Sequence, residues 1–172
     1  MKKWIPSEDE TFSFIGQLFL MTQATERSIS TLIGIIYPDG RPSWQEIGKL
    51  NKNTLGALIA KLKERIEMND AFVRLLDEFL KERNMFVHNL KKQSWFDTNS
   101  EEGRDKIWIF LESYYKLLWE VLHVVTAAIF KHFEKTGIPE TEYHKKLSQT
   151  GYLNLIKSYY PKSDAAFKSK KQ

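Results

Sequence analysis

Apolar residues recur at helical spacing along almost the whole chain, and no stretch alternates apolar and polar positions as a half-buried strand does. Ser7-Glu8-Asp9-Glu10 has the form of a capping box and predicts a first long helix. Phe12, Ile15, Leu18, Phe19, Ile29, Leu32, Ile33 and Ile36 carry that helix to about Tyr37, where Pro38-Asp39-Gly40-Arg41-Pro42 forces a turn. Its middle, Thr22 to Ser28, is polar and is expected to be a solvated bend rather than the wall of a groove. Ser43-Trp44-Gln45-Glu46 predicts a short helix to about Leu50, broken by Asn51-Lys52-Asn53. Thr54 then caps a helix with Leu55, Leu58, Ile59, Leu62 and Ile66 on one face, and Asn69 or Asp70 caps another that runs to about Leu90. Lys91 to Ser100 reads as a loop tied down by Trp95 and Phe96. A last long helix runs from Asn99 or Ser100 to Thr136 and stops at Gly137-Ile138-Pro139.

That last helix has two apolar stripes. The main one runs through Ile107, Leu111, Tyr114, Leu118, Val121, Leu122, Val125 and Ile129, and a second holds Trp108, Trp119 and Phe130. A helix apolar on two faces is either central in a bundle or half of an interface. Tyr143, Leu147, Tyr152, Leu153, Ile156 and Tyr159 predict one or two short helices across the bundle. The pattern therefore predicts an all-α, up-and-down bundle of four main helices with short accessory helices. It forms a single domain over residues 1–160, followed by a basic disordered tail over 161–172.

Composition narrows the function classes. The chain has no cysteine, which removes disulfides, thiolate metal sites and a thiol nucleophile. No run of apolar residues is long enough to span a bilayer, and the N-terminus does not resemble a signal peptide, so a cytoplasmic protein without a membrane partner is expected. Of the net charge of +4, most falls in Lys162–Gln172, which holds four lysines and one aspartate, so charge alone reveals no basic face. A local patch at Lys81, Lys91 and Lys92 remains a candidate for RNA contact.

The chemistry concentrates at the end of the helix that opens at Asn69. Phe72, Leu75, Leu76, Phe79, Phe86, Val87 and Leu90 form its apolar stripe, and Arg83 falls about 20° from the centre of that stripe. A guanidinium there requires an anionic partner. Asn84 and His88 share the polar flank. The Arg83-Asn84-x-x-x-His88 set resembles the signature of the HEPN superfamily, in which Arg, a polar residue and His close a helix. The resemblance implies a helical bundle that commonly dimerises, and a metal-independent ribonuclease in toxin–antitoxin, phage-defence or RNA-processing systems. It implies cleavage to 2′,3′-cyclic phosphate and 5′-hydroxyl ends, with no cofactor and no metal.

The residue types suit that reaction. Histidine can serve as base or acid, arginine donates two hydrogen bonds to a phosphate, and asparagine can orient either. No His-x-x-x-His or His/Asp/Glu cluster suggests a metal site, and His123 is expected to be structural. Five residues of regular helix separate Arg83 from His88 by about 140°. Three arrangements would reconcile them: a helix distortion near Asn84, an arginine that reaches along the surface, or two copies of the motif meeting across a two-fold axis. The homodimer is preferred, because it also supplies an acid and a base together. An antitoxin protein would then be a further partner. Two alternatives stand beside the enzyme. One is a HEPN-like module that binds nucleotide, RNA or protein without catalysis. The other is a purely structural role, in which Arg83 pairs with a buried glutamate and the helix dipole favours His88 at the C-terminus.

Overall fold

In the computed structural model, residues 4–35, 48–50, 53–136 and 151–168 are described, and they form an all-α bundle. Four main helices build it: α1 (Glu8–Ile35), α2 (Leu55–Arg65), α3 (Asp70–Asn84) and α4 (Glu101–Thr136). Two short helices, α5 (Tyr152–Ser158) and α6 (Tyr160–Ala166), lie against α4. The turn at 38–42, the cap at Ser43, the break at 51–52, the stop at 137–139 and the side chains of Tyr143 and Leu147 lie outside the described residues.

The helix starts follow local chemistry. At α1 the Ser7 N–H donates to Glu10 Oε2 at 2.7 Å and the Glu10 N–H donates to Ser7 Oγ at 3.2 Å, a complete capping box. Thr54 Oγ1 accepts from Ala57 N, Asn69 Oδ1 from Phe72 N at 2.7 Å, and Ser100 Oγ from Gly103 N at 3.1 Å. Each satisfies a donor that the first helical turn leaves without a partner. Gly103 is required for a separate reason: a Cβ there would fall on the Asp97 carbonyl. Arg104 fastens the same corner by donating to Pro6 O, Thr98 O and Asn99 O, each at 2.9 Å.

α3 runs antiparallel to α2, with Gly56 near Leu80 and Lys63 bonded to Asp77. Phe79 of α3 and Phe86 just beyond it pack on Tyr114 of α4, and Trp95 of the following loop packs on Phe110. α1 lies along α4 in the same sense, joined through Phe14 and Trp108 low in the bundle and Thr22 and Tyr114 higher up. The core is made by the predicted stripes, including Leu18, Ile29, Leu32, Leu58, Leu62, Leu76, Phe79, Leu111, Leu118 and Val125. Trp95 and Phe96 pack on this core and tie the loop down.

The second stripe of α4 is covered within the chain. Trp108 packs on Trp4 and Phe14, Trp119 on Tyr115 and His123, and Phe130 is buried with Ala127 and Ile156. α4 is therefore central, and its second stripe packs within the chain, with Trp108 and Trp119 left half-buried.

The expected disordered tail over 161–172 needs correction. Pro161 stands in the first turn of α6, where its missing N–H costs nothing. Ser163 and Ala166 are buried, and Phe167 packs edge-on against Phe72 at 5.0 Å. Phe167–Lys168 pairs antiparallel with Glu67–Met68, the one strand pairing among the described residues. The Asn69 side chain donates to Ala165 O, its N–H donates to Ala166 O, and Lys131 pairs with Asp164. Composition predicted disorder because the lysines dominate it, whereas three small or aromatic residues supply the contacts that hold the segment. Residues 169–172 lie outside the described ones.

Candidate active site

α3 does not end as a regular helix. Phe72, Leu76 and Phe79 bury its apolar face, and after Asn84 the backbone widens into a π turn over Met85–Asn89, followed by a 3-10 turn over Leu90–Lys92. A π turn repeats at five residues, so it brings positions i and i+5 to one side of the helix. Arg83 and His88 are such a pair. The Arg83 Nη1 lies 3.1 Å from His88 Nε2 and 3.2 Å from Asn84 Oδ1. The three residues converge on one protomer, and the helix distortion near Asn84 brings them together. No second copy is needed to reconcile the angles.

Arg83 has the anionic partner its position demands. Its Nε donates to Glu26 Oε1 of α1 at 2.7 Å, with the side chains 17 and 23 % exposed. The ion pair holds the inner edge of the guanidinium and turns the outer edge toward Asn84 and His88. Among the described residues Nη2 makes no hydrogen bond. A guanidinium only donates. In this contact Nε2 of His88 is therefore the acceptor. Asn84 and His88 are exposed, so the cluster faces solvent.

A rigid aromatic floor lies beneath it. Tyr114 of α4 is buried against Phe79, Phe86 and Phe110, with ring centroids 6.4, 4.8 and 6.2 Å away. Its hydroxyl meets Thr22 Oγ1 at 2.8 Å, and Thr22 itself donates to Leu18 O at 2.7 Å. Burial pushes the Tyr114 phenol up to about 12, so it stays protonated at any physiological pH.

The three lysines expected around the site are not gathered at it. Lys81 stands about 200° round the helix from Arg83 and pairs with Glu82 at 3.5 Å. Lys92 donates to Asn89 Oδ1 at 3.2 Å, and Lys91 is exposed one residue before it. Lys91 and Lys92 follow the π turn closely, so they flank the site at its C-terminal side, while Lys81 does not. His123 is buried on α4, its Nδ1 donating to Trp119 O at 2.7 Å, and burial holds its pKa below the usual histidine value. It packs against Trp119, Tyr152 and Tyr159 and takes no part in the cluster. Among the described residues no three His, Asp or Glu side chains converge as a metal site requires, and no helix is long and apolar enough to cross a membrane.

Glu26, the partner of Arg83, is the residue of the candidate site that the sequence pattern did not single out. The polar middle of α1, expected to be a solvated bend, is a groove wall. Gln23, Glu26, Arg27 and Ser30 line a cleft of about 610 Å³ together with Asn53 and Leu58 of the α2 entrance. The signal was present as two halves, an arginine inside an apolar stripe and an acid in the polar middle of the first helix. Comparison with protein-family models, with curated proteins and with solved structures finds no match in any of the three.

Proposed function

We propose that the protein is an endoribonuclease that works without a metal ion, with Arg83, Asn84 and His88 as its catalytic set. The observation that carries this reading is the convergence of a guanidinium edge, a carboxamide and an imidazole Nε2 within 3.2 Å on an exposed surface. It accords with the resemblance to HEPN ribonucleases.

His88 Nε2 takes the proton of the ribose 2′-hydroxyl, the 2′-oxygen bonds to phosphorus, and the bond from phosphorus to the 5′-oxygen breaks. Arg83 donates to the non-bridging oxygens as charge grows on them. Asn84 holds the phosphate or the imidazole in place, and Glu26 fixes the guanidinium through Nε so that its outer edge is preorganised. The 5′-oxygen leaves with a proton from a general acid, giving a 2′,3′-cyclic phosphate and a 5′-hydroxyl.

One histidine cannot be base and acid in a single step, and a second copy of the chain would supply the other. Phe12, Phe19 and Leu20 of α1 are exposed, and Phe12 and Phe19 stand two and one heptads before Glu26, an apolar face suited to such a homodimer. A cytoplasmic toxin of this kind would be held inactive by an antitoxin protein. The Arg83–Glu26 ion pair also fits the alternative of a purely structural role for Arg83, and the exposed cluster fits that of a non-catalytic bundle that binds nucleotide, RNA or protein.

Incubation of mixed RNA with the purified protein in EDTA separates these readings. Cleavage that persists and leaves cyclic phosphate ends supports the enzyme. Activity that vanishes with EDTA and returns with Mg²⁺ overturns the mechanism, and intact RNA favours the binding module.

A further inference from the structure

We infer that the cleft between α1 and the entrance of α2 is a nucleotide subsite, seating the base and phosphate next to the bond that Arg83 and His88 act on. This inference rests on the proposed ribonuclease reading for its orientation, though not for the ligand class.

The cleft's volume, about 610 Å³, lies in the range of small-ligand sites, roughly 300–1,000 Å³. Its lining divides into groups already engaged and groups that are not. Ser30 Oγ donates to Glu26 O at 3.0 Å, and the Glu26 carboxylate holds Arg83. The side chains of Gln23, Arg27 and Asn53 make no hydrogen bond among the described residues. Three unengaged polar groups converging on one cleft are what a ligand's own donors and acceptors require.

Their chemistry selects the ligand. Gln23 and Asn53 each present a carboxamide donor beside an acceptor, the pairing that reads an adenine edge in two hydrogen bonds. Arg83, outside the lining, engages the Glu26 carboxylate, which leaves Arg27 as the cation of the cleft with no carboxylate partner among the described residues, and a guanidinium suits phosphate. Leu58, almost wholly buried in the core, closes the cleft from below. Glu26 ties the two halves of the site, because it lines the cleft while its carboxylate touches Arg83. A nucleotide in the cleft would therefore place its neighbouring phosphate at the Arg83 outer edge.

The test uses the full chain carrying His88→Ala and short 2′-O-methyl oligonucleotides, which cannot be cleaved, with binding read by calorimetry. We expect adenine-containing oligomers to bind more tightly than uridine-only ones. Arg27→Gln should weaken all of them about 10-fold, and Gln23→Ala or Asn53→Ala should erase the base preference. Gln23 and Arg27 are exposed, so the folded state tolerates these changes, and circular dichroism checks it. Binding unmoved by the cleft variants, or no binding at all, overturns the inference. Binding that follows the cleft variants in a protein whose wild type cleaves nothing would uphold the subsite and sink only the ribonuclease reading.

Discussion

The Arg83–Glu26 ion pair couples the bundle's stability to its site, and a double-mutant cycle measures that coupling. Exposed ion pairs contribute about 0–1 kcal/mol, whereas breaking a buried one by removing a single partner costs about 3–5 kcal/mol. The Arg83 and Glu26 side chains retain 17 and 23 % of their exposure, which places the pair between those limits. Glu26→Gln, which keeps the shape and removes the charge, is therefore expected to destabilise by about 1–3 kcal/mol. In a chain of this length that lowers the melting temperature by roughly 3–10 °C. Arg83→Met should cost less, because it replaces a desolvated charge with an apolar chain on an apolar stripe. The double variant should recover about 1 kcal/mol or more relative to the sum of the singles. Urea denaturation of the four proteins reads all three quantities. Strictly additive losses would refute the claim that Glu26 is what holds Arg83 in place.

Three further outcomes follow from the packing. Thr22→Val leaves the buried Tyr114 hydroxyl without its partner and should cost about 1–3 kcal/mol by chemical denaturation; an unchanged midpoint would mean the hydroxyl finds another acceptor. Gly103→Ala drives a methyl group into the Asp97 carbonyl, and the resulting shift of the loop should lower stability by about 1–3 kcal/mol in a thermal melt. The pH dependence has two edges. The folded-state pKa of His123 is lowered, so its contribution is present above the ordinary value of 6.5 and is lost as pH falls through the folded value. The pKa of Tyr114 is raised, so its contribution is present below 10.0 and is lost between that value and about 12, by up to about 3 kcal/mol. A denaturation midpoint that is flat from pH 5 to 11 would contradict both.

Much of the fold was legible because its causes are local. Ser7, Thr54, Asn69 and Ser100 cap the helices they precede, and the stripes of α3 and α4 bury the residues that their spacing selects. The candidate site was legible in its residues but not in its arrangement. Met85-Phe86-Val87-His88-Asn89 suits a regular helix as well as a π turn, and nothing in those five residues favours the wider one. In the fold, Phe86 packs on Tyr114 at 4.8 Å, and Leu90 is buried just beyond the turn. Such constraints come from α4, outside the segment. Glu26 was missed for the same reason, since it lies 57 residues from Arg83 and no helical periodicity connects them. The two-copy arrangement appeared necessary only on the premise of a regular helix. With the π turn its remaining support is the need for both an acid and a base, together with the exposed apolar residues of α1.

The central claim is that His88 Nε2 takes the proton from a ribose 2′-hydroxyl. It is tested most directly by comparing wild type and His88→Ala at equal folded concentration on one RNA in EDTA, counting 2′,3′-cyclic phosphate ends. His88 is exposed and off the apolar stripe, so the substitution should leave the melting temperature nearly unchanged. The account predicts that cyclic ends form with wild type and fall by about 100-fold or more with His88→Ala. Equal yields of cyclic ends from the two proteins would contradict it.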